Sequence, residues 1–129
     1  MEWPVEVIVP LPLHPRRLAQ RGYNQADLLG RALAHKAHIP CAVGAVARVR
    51  DTASQVGLSA RERHDNVNGA FAVTAAWVVG KTVLLVDDVY TTGATLNACA
   101  EALRGAGAAA VYGLTAAYAP KPGADGKPD

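Results

Sequence analysis

Val83 to Thr95 reads VLLVDDVYTTGAT, and the reading of this stretch decides the fold. Its first four residues, Val83 to Val86, are a continuous apolar run of the kind found in strands buried on both faces. Two adjacent carboxylates, Asp87 and Asp88, stand where such a strand is expected to end. Small and hydroxylated residues follow from Thr91 to Thr95. Beyond them Leu96, Cys99, Ala100 and Leu103 keep helical spacing until Gly105 and Gly107 stop the pattern. Strand, acidic edge, small-residue loop and helix together make a phosphate cradle, because the free N–H groups at a helix N-terminus carry partial positive charge.

Working outward, Ala108 to Tyr118 is a second apolar, strand-like run, which completes a β-α-β unit around the central motif. The end, 119–129, is rich in Pro, Gly, Lys and Asp and reads as a disordered tail. Upstream, Gly80-Lys81 makes the turn into the central strand, and Phe71 to Val73 with Ala76 to Val79 reads as strands or a hairpin. From Arg50 to Asn68 the chain is polar, with Val56, Leu58 and Val67 as its larger apolar residues. Such a stretch inside a compact domain reads as a mobile lid, and Ser59 with Glu62 matches a capping box for a short helix near Ala60.

Ile39 to Val43 and Val46 to Val49 give two short extended candidates. Gln25 to Ala37 reads as a helix capped by Asn24, with Ala26, Leu29, Ala32, Leu33 and Ala37 on its packing face. His35 and His38, near its end, read as surface residues rather than metal ligands. Val5 to Val9 is a β-branched strand run, followed by the stiff segment Pro10 to Pro15 and then by Arg16, Arg17 and Arg21, whose guanidiniums can fork onto phosphate oxygens. The whole is an α/β fold with a mainly parallel central sheet flanked by helices, in one domain over residues 1–118.

Composition bounds the function. A chain of 129 residues can bury a sizeable core without staples. The net charge of +2 is too small to argue for nucleic acid, but eight of the nine arginines lie in the first half, opposite the acidic pair in the second. Cys41 and Cys99 form no CxxC, so neither a structural zinc site nor a disulfide framework is expected. Prolines interrupt any N-terminal apolar run, and no stretch reaches the ~18 apolar residues of a membrane span. The expectation is a soluble, cytoplasmic protein; the oligomeric state is not readable, and a dimer is compatible with the sequence.

The chemistry of the motif can be taken further. Ionised carboxylates only accept hydrogen bonds, so Asp87 and Asp88 suit a vicinal diol or the water shell of a magnesium ion. Thr91 to Thr95 offers backbone N–H groups and hydroxyls, and Gly93 lets the backbone approach a phosphate. A diol at the acids and a phosphate at the loop describe a ribose 5-phosphate.

The stretch resembles the phosphoribosyl-pyrophosphate (PRPP) signature of type I phosphoribosyltransferases. Further segments are similar to the competence protein F-like (ComF/GntX) branch of that superfamily: VPLPLH (Val9 to His14), RGYNQA (Arg21 to Ala26), SQVGLSARER (Ser54 to Arg63) and NVNGAF (Asn66 to Phe71). The resemblance implies that Asp87 and Asp88, the catalytic candidates, bind the ribose 2- and 3-hydroxyls. It gives Thr91, Thr92, Gly93, Ala94 and Thr95 to the 5-phosphate. Residues 50–68 become a flexible hood, and the loop after the first strand approaches the diphosphate, with Arg16, Arg21 and Arg63 as further contacts. Magnesium is the implied cofactor, with Asp87 or Asp88 as outer-shell partners. Members of this branch commonly carry an N-terminal zinc module with CxxC pairs, which this sequence does not contain.

The activity implied is transfer of a phosphoribosyl group from PRPP to an acceptor, with release of diphosphate. Two alternatives stand beside it. One is a sensor that binds PRPP or a nucleotide without turnover. The other is an accessory of DNA uptake, for which the arginine-rich half is the physical support and Tyr23 the one aromatic group nearby.

Overall fold

A computed structural model describes residues 4–13, 18–20, 22–49, 69–90 and 94–118. The elements, in order, are β1 (Val7–Pro10), α1 (Gln25–Ala37), β2 (Val46–Arg48), β3 (Phe71–Val73), β4 (Thr82–Tyr90), α2 (Ala94–Gly105) and β5 (Ala110–Tyr118). β1, β4 and β5 form a parallel sheet in the order β1-β4-β5, and β2 and β3 form a separate antiparallel pair. The apolar run of the central motif is thus the middle strand, flanked on both sides. The α/β class with a parallel central sheet follows directly.

The side-chain period of the strands divides the core into two layers. Val7 and Val9 of β1 with Val83 and Leu85 of β4 face one side, where they pack with Cys99 and Leu103 of α2 and with Val46 and Phe71 of the hairpin. Ile8, Leu84 and Val86 face the other side and pack against Ala34, Leu29 and Leu33 of α1. Ile8, Leu85 and Leu103 are completely buried, each stabilising the fold by about 1.5–3 kcal/mol relative to exposure. Gly30 brings α1 close to the sheet: a Cβ there would stand 3.0 Å from Pro10 Cγ.

Several local expectations are corrected. The central strand does not end at Val86. It remains paired with β5 through Asp87↔Thr115, Val89↔Ala117 and Tyr90↔Tyr118. Because β5 offers backbone partners to its last residue, the ladder carries the chain straight through the acidic pair. Ala76 to Val79 is not extended: Ala75–Trp77 forms a single 3₁₀ turn, closed by Trp77 N–H to the Thr74 carbonyl at 3.1 Å and Val78 N–H to Ala75 at 3.0 Å. The hairpin is therefore β2 with β3, and Val49 continues it by one N–H bond to Ala70 at 2.7 Å.

Ile39 to Val43 contributes a single parallel bridge from Cys41 to Ile8 and no strand. Pro40 has no N–H for a ladder, and Gly44 turns the chain at a φ of 91°. The helix expected over Gln25 to Ala37 has those bounds, with Asn24 as its cap. It ends at His38, which takes the left-handed conformation and donates its N–H to the Ala34 carbonyl. The lid or hood over 50–68 and the tail over 119–129 lie outside the described residues.

Candidate functional site at the carboxyl edge of the sheet

In a parallel sheet all carboxyl ends lie at one edge, and ligands bind in the crevice beyond them. Here that edge carries the loop after β1, the acidic pair of β4 and, four residues past Tyr90, the start of α2 at Ala94. Asp87 continues the phase of Val83 and Leu85, toward the hairpin and α2, while Asp88 continues that of Leu84 and Val86. The alternation does not part the two acids. The Asp88 N–H donates to Asp87 Oδ1 at 2.8 Å, and the two carboxyl groups are themselves hydrogen-bonded.

Both acids are half-buried. Burial, foremost, and then the hydrogen bond and charge of Asp88 push the Asp87 carboxyl up to about 6. The Asp88 N–H and the charge of Arg48 act in the opposite direction. The pair holds a proton in mild acid and offers Asp87 as an ionised acceptor at neutral pH, the state needed to receive hydrogen bonds from hydroxyl groups.

Arg48 is a charged group acting on Asp87 that reading the sequence did not single out. It is buried, with its guanidinium carbon 5.2 Å from the centroid of the Phe71 ring, and its charge reaches both Asp87 and Cys99. In the sequence it is one more arginine of a basic half. The available signal was phase: Arg48 follows Val46 by two residues in a strand and so shares its inward face. Asn24, expected as a helix cap, makes one bond that the sequence reading did not foresee. It caps α1 by accepting from the Ala26 N–H at 3.0 Å, as expected, and its amide also donates to the Leu11 carbonyl at 3.0 Å.

Of the remaining candidates, Ala94 and Thr95 form the first turn of α2, and Thr95 is half-buried. Thr91, Thr92, Gly93, Arg16, Arg21 and Arg63 lie outside the described residues. Among the described residues no group of three or more His, Cys, Asp or Glu can hold a metal ion, and no helix is long and apolar enough to cross a membrane.

An acidic pair on the middle strand of a parallel sheet, with a helix opening just behind it, lies where open α/β sheets bind their ligands. A family model described as the phosphoribosyl transferase domain matches residues 28–125. The chain belongs to the phosphoribosyltransferase family, in its competence protein F-like branch.

It is 46% identical over 101 residues to competence protein F of Haemophilus influenzae, covering 77% of this chain and 44% of that protein. It is 45% identical over 104 residues to the DNA utilization protein YhgH of Escherichia coli, covering 81% of this chain and 45% of that one. Competence protein ComFC of Bacillus subtilis is 34% identical over 81% of this chain and 40% of its own. The chain therefore spans less than half the length of these relatives. Among solved structures, the allosteric regulatory enzyme of purine biosynthesis superposes with a TM-score of 0.56 at 21% identity, over 90% of this chain and 23% of that enzyme, a likeness of fold.

Proposed function

We propose that this chain binds PRPP at the carboxyl edge of its sheet and transfers the phosphoribosyl group to a nitrogen acceptor, with diphosphate leaving. The observation that carries the reading is the hydrogen-bonded pair Asp87–Asp88 on the middle strand, whose last residue lies just ahead of α2. The ionised pair accepts hydrogen bonds from the ribose 2- and 3-hydroxyls, and the segment Thr91 to Thr95 takes the 5-phosphate. The bond from C1 to the diphosphate oxygen breaks, a bond from the acceptor nitrogen to C1 forms, and the acceptor loses a proton. Positive charge develops at C1 as diphosphate departs, so the acids beneath the ring position and stabilise that centre.

Magnesium fits the donor set. Two carboxylates on one strand, with no third His, Cys, Asp or Glu beside them among the described residues, suit a hard ion that keeps water and ligand oxygens in its shell. Asp87 and Asp88 would hold it through water, and when bound it neutralises charge on the diphosphate. Arg16, Arg21 and Arg63 are the chain's own candidates for contacting the leaving group.

The test is calorimetry with PRPP and magnesium on the parent and on the double variant Asp87→Asn, Asp88→Asn, followed by diphosphate release with a panel of bases and amines. Binding lost in the double variant supports the site, and unchanged affinity overturns it. Binding without diphosphate release from any acceptor identifies a sensor. The names of the relatives favour a second reading, participation in DNA handling. A salt-dependent shift of single-stranded DNA at micromolar protein supports it, and no binding at low salt removes it.

A further inference from the structure

The loop leaving β1 is held from two sides. The Leu11 N–H donates to the Val86 carbonyl at 2.8 Å, and the Leu11 carbonyl accepts from Asn24 Nδ2 at 3.0 Å. Asn24 is buried, and the same Nδ2 reaches Asp27 Oδ1 at 3.2 Å while Oδ1 accepts from the Ala26 N–H.

Capping α1 uses only the side-chain oxygen. Serine, threonine or aspartate would cap about as well, so the cap alone does not account for a residue with an amide donor at this position. The donor is spent on Leu11, thirteen residues away in sequence. Val86 directly precedes Asp87. Two hydrogen bonds therefore connect the start of α1 to the acidic pair: Asn24 to Leu11, and Leu11 to Val86.

We propose that Asn24 is a positioning residue for the ligand site, setting the loop after β1 beside Asp87 and Asp88 through its bond to the Leu11 carbonyl. The inference rests on the reading that this edge binds PRPP. It gives α1 a role beyond covering the sheet, since the helix start fixes the level at which Leu11, Pro12 and Leu13 leave β1. The loop then meets the ligand already ordered, and no binding energy is used to order it.

The experiment compares the parent with Asn24→Ser, Asn24→Asp and Asn24→Ala. Serine and aspartate keep the cap and lose the donor, and either one suffices if the other folds poorly. Thermal midpoints, PRPP affinity with magnesium, and amide exchange over residues 8–13 are measured on each. The Ser variant is expected to melt several degrees below the parent, because the buried Leu11 carbonyl loses its donor, and the Asp variant lower, because its carboxylate would face Asp27 Oδ1 and the Leu11 carbonyl. Their PRPP affinity falls on the order of tenfold, and Leu11 exchanges faster. The Ala variant melts below the Ser variant with no further loss of affinity. If the parent binds and the Ser and Asp variants bind as tightly, or if affinity simply follows the midpoint across all three, Asn24 is a structural cap and the inference falls while the site reading stands. A parent that does not bind PRPP removes the site reading and this inference with it.

Discussion

Arg48 and Phe71 are the last register pair of the β2–β3 hairpin, and the guanidinium carbon of Arg48 stands 5.2 Å from the centroid of the Phe71 ring. The stack keeps a cation buried on the side of β4 to which Asp87 belongs, where its charge opposes the upward push on the Asp87 carboxyl.

Arg48→Met is therefore expected to raise the Asp87 midpoint above its present value of about 6. Methionine fills much of the same space but removes a buried cation and its stack on Phe71, so a loss of about 1–3 kcal/mol is expected. PRPP affinity at pH 7 should fall about threefold and recover by about pH 8.5, because the residual defect is protonation of Asp87. Titration by calorimetry at both pH values checks this. An equal loss at the two values would show that Arg48 acts through shape rather than charge.

The raised Asp87 carboxyl also links stability to pH. Its folded value of about 6 lies above the ordinary aspartate value of 3.8, so the folded chain holds this proton more tightly than the unfolded chain. The contribution to stability is present in full below about pH 4 and is lost as pH rises through about 6. Asp87→Asn removes it. After allowance for solvent screening of a half-exposed group, the variant should gain on the order of 1 kcal/mol over the parent between about pH 4.5 and 7.5. Urea melts at the two pH values measure the gain, and a pH-independent difference would contradict the assigned direction.

Much of the fold could be read from residue pattern alone, because the strongest structural preferences here are local or periodic. The Val83 to Val86 run, the helical spacing of α1 and α2 and the Asn24 cap each depend on neighbours within a turn or a pleat. Three features depended on partners far along the chain. The extension of β4 through Asp87 and Asp88 is set by β5, the lone bridge at Cys41 by β1, and the inward place of Arg48 by the hairpin. At the site, the acids were legible by chemistry, whereas the amide of Asn24 finds its acceptor in Leu11, thirteen residues away, a pairing that no local rule describes.

Gly30 tests the close approach of α1 to β1. A Cβ at this position would meet Pro10 Cγ at 3.0 Å, Cys41 Sγ at 3.5 Å and Ile8 Cγ2 at 3.6 Å. The proline ring is stiff and cannot move aside, so overpacking should outweigh the better helix propensity of alanine. A net loss of about 1–2 kcal/mol is expected for Gly30→Ala. Gly105, at the end of α2, has nothing within 4 Å of its virtual Cβ, and Gly105→Ala should be neutral or stabilising by about 0.5 kcal/mol. Denaturant melts of the two variants should shift in opposite directions or differ by more than about 1 kcal/mol.

The two cysteines should report the core independently of any ligand. Burial, chiefly, pushes the Cys99 thiol up to about 12, with the charge of Asp87 adding to it and that of Arg48 opposing it. Cys41 is half-buried and raised from the ordinary thiol value, again mainly by burial. Since the thiolate is the reactive form, Cys41 should be modified slowly in native buffer by an aromatic disulfide reagent, and Cys99 only as the domain opens. In rising urea the second equivalent should appear along the unfolding curve followed by tryptophan fluorescence. Two equivalents released rapidly from the native protein would mean that α2 does not seal Cys99 against β4 and the hairpin.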